Sequence, residues 1–113
     1  MKDRQTTTLA FRTITTAVAA EFGVPRAILL SNQRTAVIAG ARQVAMYYMR
    51  TLYRYSYPEI ARAFRKADHT TAMHACSTVA NRLQTEPVFS AQLGRCSMRI
   101  LDTLNANLKQ TTA

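Results

Sequence analysis

The stretch Arg65-Lys66-Ala67-Asp68-His69-Thr70-Thr71-Ala72-Met73-His74-Ala75 decides the fold of this chain. Two basic residues precede the polar cluster Asp68-His69-Thr70-Thr71, and an amphipathic pattern begins there at once. Asp and Thr cap helix N-termini because their side-chain oxygens accept hydrogen bonds from free backbone N–H groups. The pattern predicts a helix with a short polar first turn, suited to enter a DNA groove. An ordinary capped surface helix would carry the same pattern.

The residues before this stretch predict a second, shorter helix. Ser56 stands at a cap position, Pro58 in the first turn and Glu59 three residues after the serine, which is a capping box. We expect helices over residues 56–64 and 70–84, joined by a turn at Arg65 to Asp68. A short helix, a tight turn and a longer helix in a basic domain are typical of a helix-turn-helix.

The rest of the chain is also predicted to be helical. Apolar residues recur at three- and four-residue spacing over residues 8–22, 35–53 and 88–108, and residues 28–30 make a short apolar anchor. This phase places Leu52, Met73 and Ala80 among the buried positions. There is no strand pattern, repeat or second domain in the sequence. The predicted fold class is therefore all-α, a single domain over residues 1–113 with about five to six helices.

The charge of the chain indicates a polyanionic partner. Its 113 residues include 15 Lys+Arg against 6 Asp+Glu, a net charge of +9, while 48% hydrophobic residues are enough for a core. Nucleic acid or an acidic membrane surface would fit this excess. Eight basic residues lie from Arg26 to Lys66, with Glu59 as the only acid among them. A merely solvated basic surface is the alternative.

Several other classes of function find no support in the residues. Cys76 and Cys96 lack CxxC spacing, and neither they nor His69 and His74 make a metal motif, so buried free thiols are expected. No nucleophile or carboxylate pair accompanies the histidines, which argues against an enzyme. The sequence has neither a signal peptide nor a run of about 20 apolar residues. We expect a cytoplasmic protein with no cofactor and no membrane partner.

Three blocks of sequence carry a family resemblance. Ala41–Tyr48, Ser56–Ile60 and Asp68–Ala75 resemble, in order and in spacing, the C-terminal DNA-binding domain of the bacterial replication initiator DnaA. The resemblance covers nearly the whole chain. It implies an all-helical fold that binds a short asymmetric box of double-stranded DNA through the major groove, with an arginine in the neighbouring minor groove. The initiator's ATPase loop, GxxxxGK[ST], is absent from this sequence, so no ATP binding is expected.

The resemblance also suggests which residues contact DNA. His69 and Thr70 match base-contacting positions at the start of the recognition helix, and Arg34 matches the minor-groove arginine. Further base contacts are expected from Asp68, His74 and Ala75 of the same segment. The alternative role of Asp68 is the N-cap of the helix. Backbone contacts are expected from Arg42, Gln43, Arg50, Thr71 and the N–H groups around Pro58 and Glu59.

The sequence departs from the family at several basic positions. Asn32, Gln33 and Ala36 leave Arg34 as the only charge of its loop, and Ala67 and Thr78 stand where the family has basic residues. These departures imply a different sequence preference and a lower affinity for DNA.

The leading hypothesis is a DNA-binding regulator of transcription or replication initiation. A protein-interaction module that binds the initiator or the replication machinery is the alternative, although interaction alone does not need the Asp68–Thr71 side chains. An RNA-binding module is a third, because five tyrosines that could stack on bases cluster near one helix end: Tyr47, Tyr48, Tyr53, Tyr55 and Tyr57. Core packing explains most of them equally well.

Overall fold

The structure, a computed structural model, describes the backbone of residues 4–66 and 68–112 and the side chains of residues 8–66 and 68–106. This part of the chain contains no strand, which confirms the predicted all-α class. Its helices are α1 (Arg4–Phe22), α2 (Arg26–Leu29), α3 (Ala36–Thr51), α4 (Tyr57–Ala63), α5 (His69–Thr85) and α6 (Pro87–Thr112). The departure noted at Ala67 lies outside the described residues. No described helix is long and apolar enough to cross a membrane.

Local chemistry sets where these helices begin and end. Gly23 ends α1 at φ +68, a left-handed conformation that suits glycine because it has no Cβ. Thr35 caps α3 by accepting a hydrogen bond from the N–H of Ile38 at 3.3 Å. Only Glu86 separates α5 from α6, whose first residue is Pro87, where a missing N–H costs nothing. Compared with the predicted ranges, α1 begins earlier and α6 ends later.

The core is built around α3, which packs against α1, α2, α4 and α5, while α6 packs against α1 and α5. Its fully buried side chains include Ile14, Val18, Leu29, Val44, Met49, Ile60, Val79 and Ile100. Burying an aliphatic side chain of this size stabilises the fold by about 1.5–3 kcal/mol. The buried hydroxyl of Tyr48 donates to the carbonyl of Leu93 and lies 2.8 Å from Ser97 Oγ. This pair of contacts joins α3 to α6.

Three residues expected in the core are exposed instead. Met73 is 45% exposed and Leu52 is 50% exposed, and Ala80 also faces solvent. The buried face of α5 is Ala72, Ala75, Cys76 and Val79, about one residue out of phase with the prediction. The small side chains on this face let α5 approach α3 closely, which turns the larger Met73 outward.

Both cysteines are buried free thiols, as predicted. Burial raises the pKa of the Cys96 thiol to about 12 and also raises the pKa of Cys76. A second polar link joins α1 to α6, because the Glu21 carboxylate accepts from Arg95 Nε at 2.9 Å and Arg99 Nε at 3.2 Å. The hydrogen bond from Arg95 is the main reason why the pKa of Glu21 is lowered.

Candidate nucleic-acid interface

Helices α4 and α5 form the predicted helix-turn-helix. The capping box at its start is present: the N–H of Ser56 donates to Glu59 Oε1 at 2.8 Å, and the N–H of Glu59 donates to Ser56 Oγ at 3.2 Å. At the other end of α4, the N–H of Lys66 donates to the carbonyl of Ala61 at 2.7 Å. Arg65 lies in this turn at φ +57, a conformation that costs a non-glycine residue about 1–2 kcal/mol. The tertiary packing of α4 on α5 must offset that strain.

The first turn of α5 is polar and open to solvent. Asp68 Oδ1 accepts from the N–H of Thr70 at 2.9 Å, which confirms the helix cap and lowers the pKa of this carboxyl. His69 Nδ1 lies 3.8 Å from the same oxygen. All five polar side chains of this region are exposed: Asp68, His69, Thr70, Thr71 and His74. Thr71 and His74 are therefore accessible to a partner.

A surface groove of about 400 Å³ lies between α3, together with Arg34 of the loop before it, and the recognition helix α5. Six of the predicted site residues line it: Arg34, Arg42, Gln43, Thr71, His74 and Ala75. Asp68, His69 and Thr70 lie on the exposed first turn of α5 outside this lining, and Arg50 and Pro58 are not part of it. The fold thus gathers residues that are up to 41 positions apart, from Arg34 to Ala75.

Lys66 also lines the groove, although sequence reasoning did not single it out as a contact. Its side chain is half-buried, and it adds a positive charge on the α4–α5 side. The signal was present in the sequence, because Arg65-Lys66 directly precedes the polar cap of α5.

Ala75 needs a correction. The residue is only 2% exposed, because it lies on the face of α5 that packs into the core. Its side chain forms part of the groove's floor and offers almost no surface to a thymine methyl group. We therefore give it no part as a base reader.

Arg42 also differs from expectation. Its side chain is 8% exposed, and its guanidinium donates from Nε to the Leu29 carbonyl at 3.0 Å. Nη2 donates to the carbonyls of Ser31 and Gln33 at 2.6 and 3.2 Å. Burial lowers the pKa of Arg42, and the nearby charge of Arg34 lowers it further. The expected solvent-facing clamp is instead tied to the chain's own backbone, and contact with a phosphate stays a prediction.

The other predicted backbone contacts divide into two kinds. Arg50 is exposed, donates from Nη1 to the Tyr55 carbonyl at 3.1 Å and lies 4.3 Å from the centre of the Tyr57 ring. Of the N–H groups around Pro58 and Glu59, that of Glu59 is bound to Ser56 Oγ and proline has none, so a phosphate contact there would use neighbouring N–H groups and stays a prediction.

The tyrosines serve mainly in packing. Tyr48 and Tyr55 are buried, and the remaining three are half-buried and pack against the core cluster: Tyr47, Tyr53 and Tyr57. The rings of Tyr53 and Tyr55 stack on each other with centroids 6.3 Å apart. This arrangement favours core packing over a platform for RNA bases. No cluster of His, Cys, Asp or Glu suited to a metal ion occurs within the described ranges.

A small all-α domain in which a short capped helix, a tight turn and a longer helix present an exposed polar turn defines a helix-turn-helix protein. The chain matches the family described as bacterial dnaA protein helix-turn-helix over residues 11–79. It belongs to this family, which comprises the non-catalytic DNA-binding domain of the DnaA protein.

Individual relatives agree with this assignment. The chain is 41% identical over 76 residues to the chromosomal replication initiator protein DnaA of Rhizobium meliloti (strain 1021), which is 67% of this chain and 16% of that protein. For the same protein of Acinetobacter baylyi, identity is 39% over 83 residues, 74% of this chain and 18% of the initiator. A crystal structure of a DNA replication initiation factor superposes with a TM-score of 0.72 at 32% identity, covering 83% of this chain and 29% of that one. The chain thus spans less than a fifth of the length of these DnaA relatives.

Proposed function

We propose that this protein binds specific sites in double-stranded DNA. The first turn of α5 would enter the major groove, and the loop that carries Arg34 would reach the neighbouring minor groove. One observation carries the proposal: Thr71 and His74 of α5 line the same groove as Arg34, and the exposed polar turn 68–70 directly precedes them, in a chain with a net charge of +9. A helix turn and a loop on one surface can contact adjacent grooves of a duplex that lies across that surface.

The exposed turn supplies the base readers. His69 and Thr70 stand foremost, where an imidazole nitrogen can bond a base edge and a threonine methyl can pack on thymine. Asp68 keeps one oxygen on the helix cap and has the other for a cytosine amino group. His74 lies one turn further along the helix. Arg34 is exposed, and a narrow A·T-rich minor groove attracts a guanidinium.

The proposed backbone contacts surround these readers. Thr71 and Gln43 line the groove and have polar side chains that can donate to phosphate oxygens. Lys66 adds a cation on the α5 side, and the exposed Arg50 adds one at the end of α3. Contacts of this kind fix register and orientation, and they make binding depend on salt.

We further propose a regulatory role in transcription or replication initiation, exerted on the bacterial chromosome in the cytoplasm. A protein that recognised the initiator's boxes would compete with the initiator for them. The chain matches only the DNA-binding part of its DnaA relatives, so the role requires no catalytic step of its own. Repression, activation and competition would all follow from occupancy of a site.

The alternative function is a protein-interaction module that binds the initiator or the replication machinery. Exposed large apolar side chains outside the groove favour it: Val88, Met98 and Leu101, all on α6. Such side chains often mark protein contacts when they are contiguous. A protein-interaction function does not explain the exposed polar turn of α5, and we therefore rank this function second.

Selection of bound sites from a random duplex pool, followed by anisotropy titrations, would test the proposal. We expect the selected site to bind at least about tenfold tighter than a scrambled duplex, a preference of about 1.4 kcal/mol. Absence of binding even at low salt would refute DNA binding. If the same protein then bound purified initiator in a pull-down, and Met98→Lys abolished that binding, the interaction module would replace the proposal.

A further inference from the structure

The loop between α2 and α3, residues 30–35, is held in place by one buried side chain. Arg42 projects from the second turn of α3 and donates to three carbonyls on this segment or at its edge: Leu29, Ser31 and Gln33. A guanidinium can make such contacts simultaneously because its donors are fixed in a planar fork. These bonds also compensate the burial of its charge, which would otherwise be costly.

The contact with Gln33 matters most for function. The carbonyl of Gln33 belongs to the peptide group that leads directly into Arg34, so fixing this oxygen fixes the plane from which the Arg34 backbone departs. On the other side, Thr35 is held as the N-cap of α3. Arg34 therefore lies between two anchored residues while its own side chain stays exposed.

Polar contacts within the loop add to this anchoring. Ser31 Oγ donates to the carbonyl of Ile28 at 2.6 Å and accepts from the N–H of Gln33 at 3.2 Å. Both contacts join the loop to itself or to α2, so they cannot by themselves fix the loop relative to α3. Among the described residues, Arg42 supplies the side-chain hydrogen bonds that tie the middle of the loop, Ser31 and Gln33, to α3.

We infer that Arg42 is a positioning residue that holds the loop so that Arg34 is preorganised for the minor groove. The inference rests on the proposed DNA-binding function and revises the expectation that Arg42 acts mainly as a phosphate clamp. Preorganisation raises affinity because the loop loses less conformational entropy on binding. For DNA binding, the positive charge of Arg42 then matters less than the planar arrangement of its N–H donors.

The substitution Arg42→Lys separates the two roles. It keeps the positive charge but replaces the fork by a single ammonium, which cannot reproduce three carbonyl contacts from one position. We expect Arg42→Lys and Arg34→Ala each to weaken binding to the selected site by about tenfold, or about 1.4 kcal/mol. The double variant should bind within about twofold of Arg34→Ala alone. Arg12→Lys, the same change at an exposed α1 residue outside the groove, should bind like the wild type.

Backbone dynamics give a readout that a general loss of stability would not produce. In ¹⁵N relaxation measurements, the amides of residues 31–34 should have order parameters near 0.85 in the wild type and below about 0.6 in Arg42→Lys, with α3 and α5 unchanged. Circular dichroism would verify the helical content of each variant.

Three results would overturn the inference: wild-type affinity of Arg42→Lys, additive losses in the double variant, or an unchanged loop order parameter. A wild-type protein that bound no DNA would instead overturn the proposed function. In that case the order parameters would still decide whether Arg42 fixes the loop.

Discussion

Thr70→Ala is the sharpest test of the base readers. Thr70 lies in the first turn of α5, and its side chain is exposed in the free protein. The cap of the helix uses the backbone N–H of Thr70, which the alanine variant retains. Alanine also has the higher helix propensity, so α5 should form at least as well in the variant. The substitution therefore changes the surface offered to DNA and leaves the fold intact.

The expected loss follows from the atoms removed. Taking one methyl group out of contact with a thymine methyl costs about 0.8 kcal/mol. Losing one hydrogen bond of the hydroxyl costs about 0.5–1.5 kcal/mol. Together they predict a loss of about 1.3–2.3 kcal/mol on the selected site, which is about 9- to 50-fold in affinity. On a scrambled duplex, where phosphate contacts dominate, the change should stay within about twofold.

Paired anisotropy titrations of the selected and scrambled duplexes would measure this difference. Thr16→Ala, the same change at an exposed position of α1, is the matched control and should leave both affinities unchanged. His69→Ala should behave like Thr70→Ala. Equal losses on the two duplexes would mean that Thr70 and His69 are not readers, and the orientation of α5 on DNA would have to be abandoned.

Four further outcomes are expected. If Lys66 and Arg50 neutralise phosphates, log K should fall with log salt at a slope of about −1.8, or about 12-fold between 50 and 200 mM, and a flat titration would contradict this. Calorimetry should detect no magnesium-dependent, salt-resistant ATP binding, because the sequence has no phosphate loop. Tyr48→Phe removes the hydroxyl between α3 and α6, so it should lower stability by about 1 kcal/mol and Tm by about 3–6 °C, without weakening DNA binding. Because the folded pKa of Glu21 is lowered, its stabilising effect should be full above the unfolded pKa, near 4.3, and be lost as pH falls through the folded pKa. In thermal melts at acid pH, the Glu21→Gln variant should not show this loss of stability. An acid transition identical to that of the wild type would contradict the role of Glu21.

Local signals in the sequence determined much of the architecture. Helical periodicity, the Ser56–Glu59 capping box, the Asp68 cap and the Glu86-Pro87 break are each encoded within a few residues, and the structure has all four. These features could be predicted without knowledge of the tertiary structure, because caps and breaks depend on hydrogen-bonding groups that are neighbours in the chain. The blocks that resemble the DnaA domain similarly identified the family.

Tertiary structure decided which side of each helix is covered. The pattern of α5 could not place Met73 outside and Ala75 inside, because periodicity gives the phase of an apolar stripe only to within about one residue. The close approach of α3 settled the phase, since small side chains pack where two helices meet and a long one cannot.

Tertiary structure also decided what Arg42 does. In the sequence it is one more arginine in a basic run, with charge as its only visible property. In the fold, the end of α2 and the α2–α3 loop present three carbonyls to its guanidinium. Partners 9 to 13 residues away along the chain are brought together only by the packing of α2 on α3. The sequence by itself thus determined the helices, the charge and the family, whereas the burial of Arg42 and the groove between loop and recognition helix exist only in three dimensions.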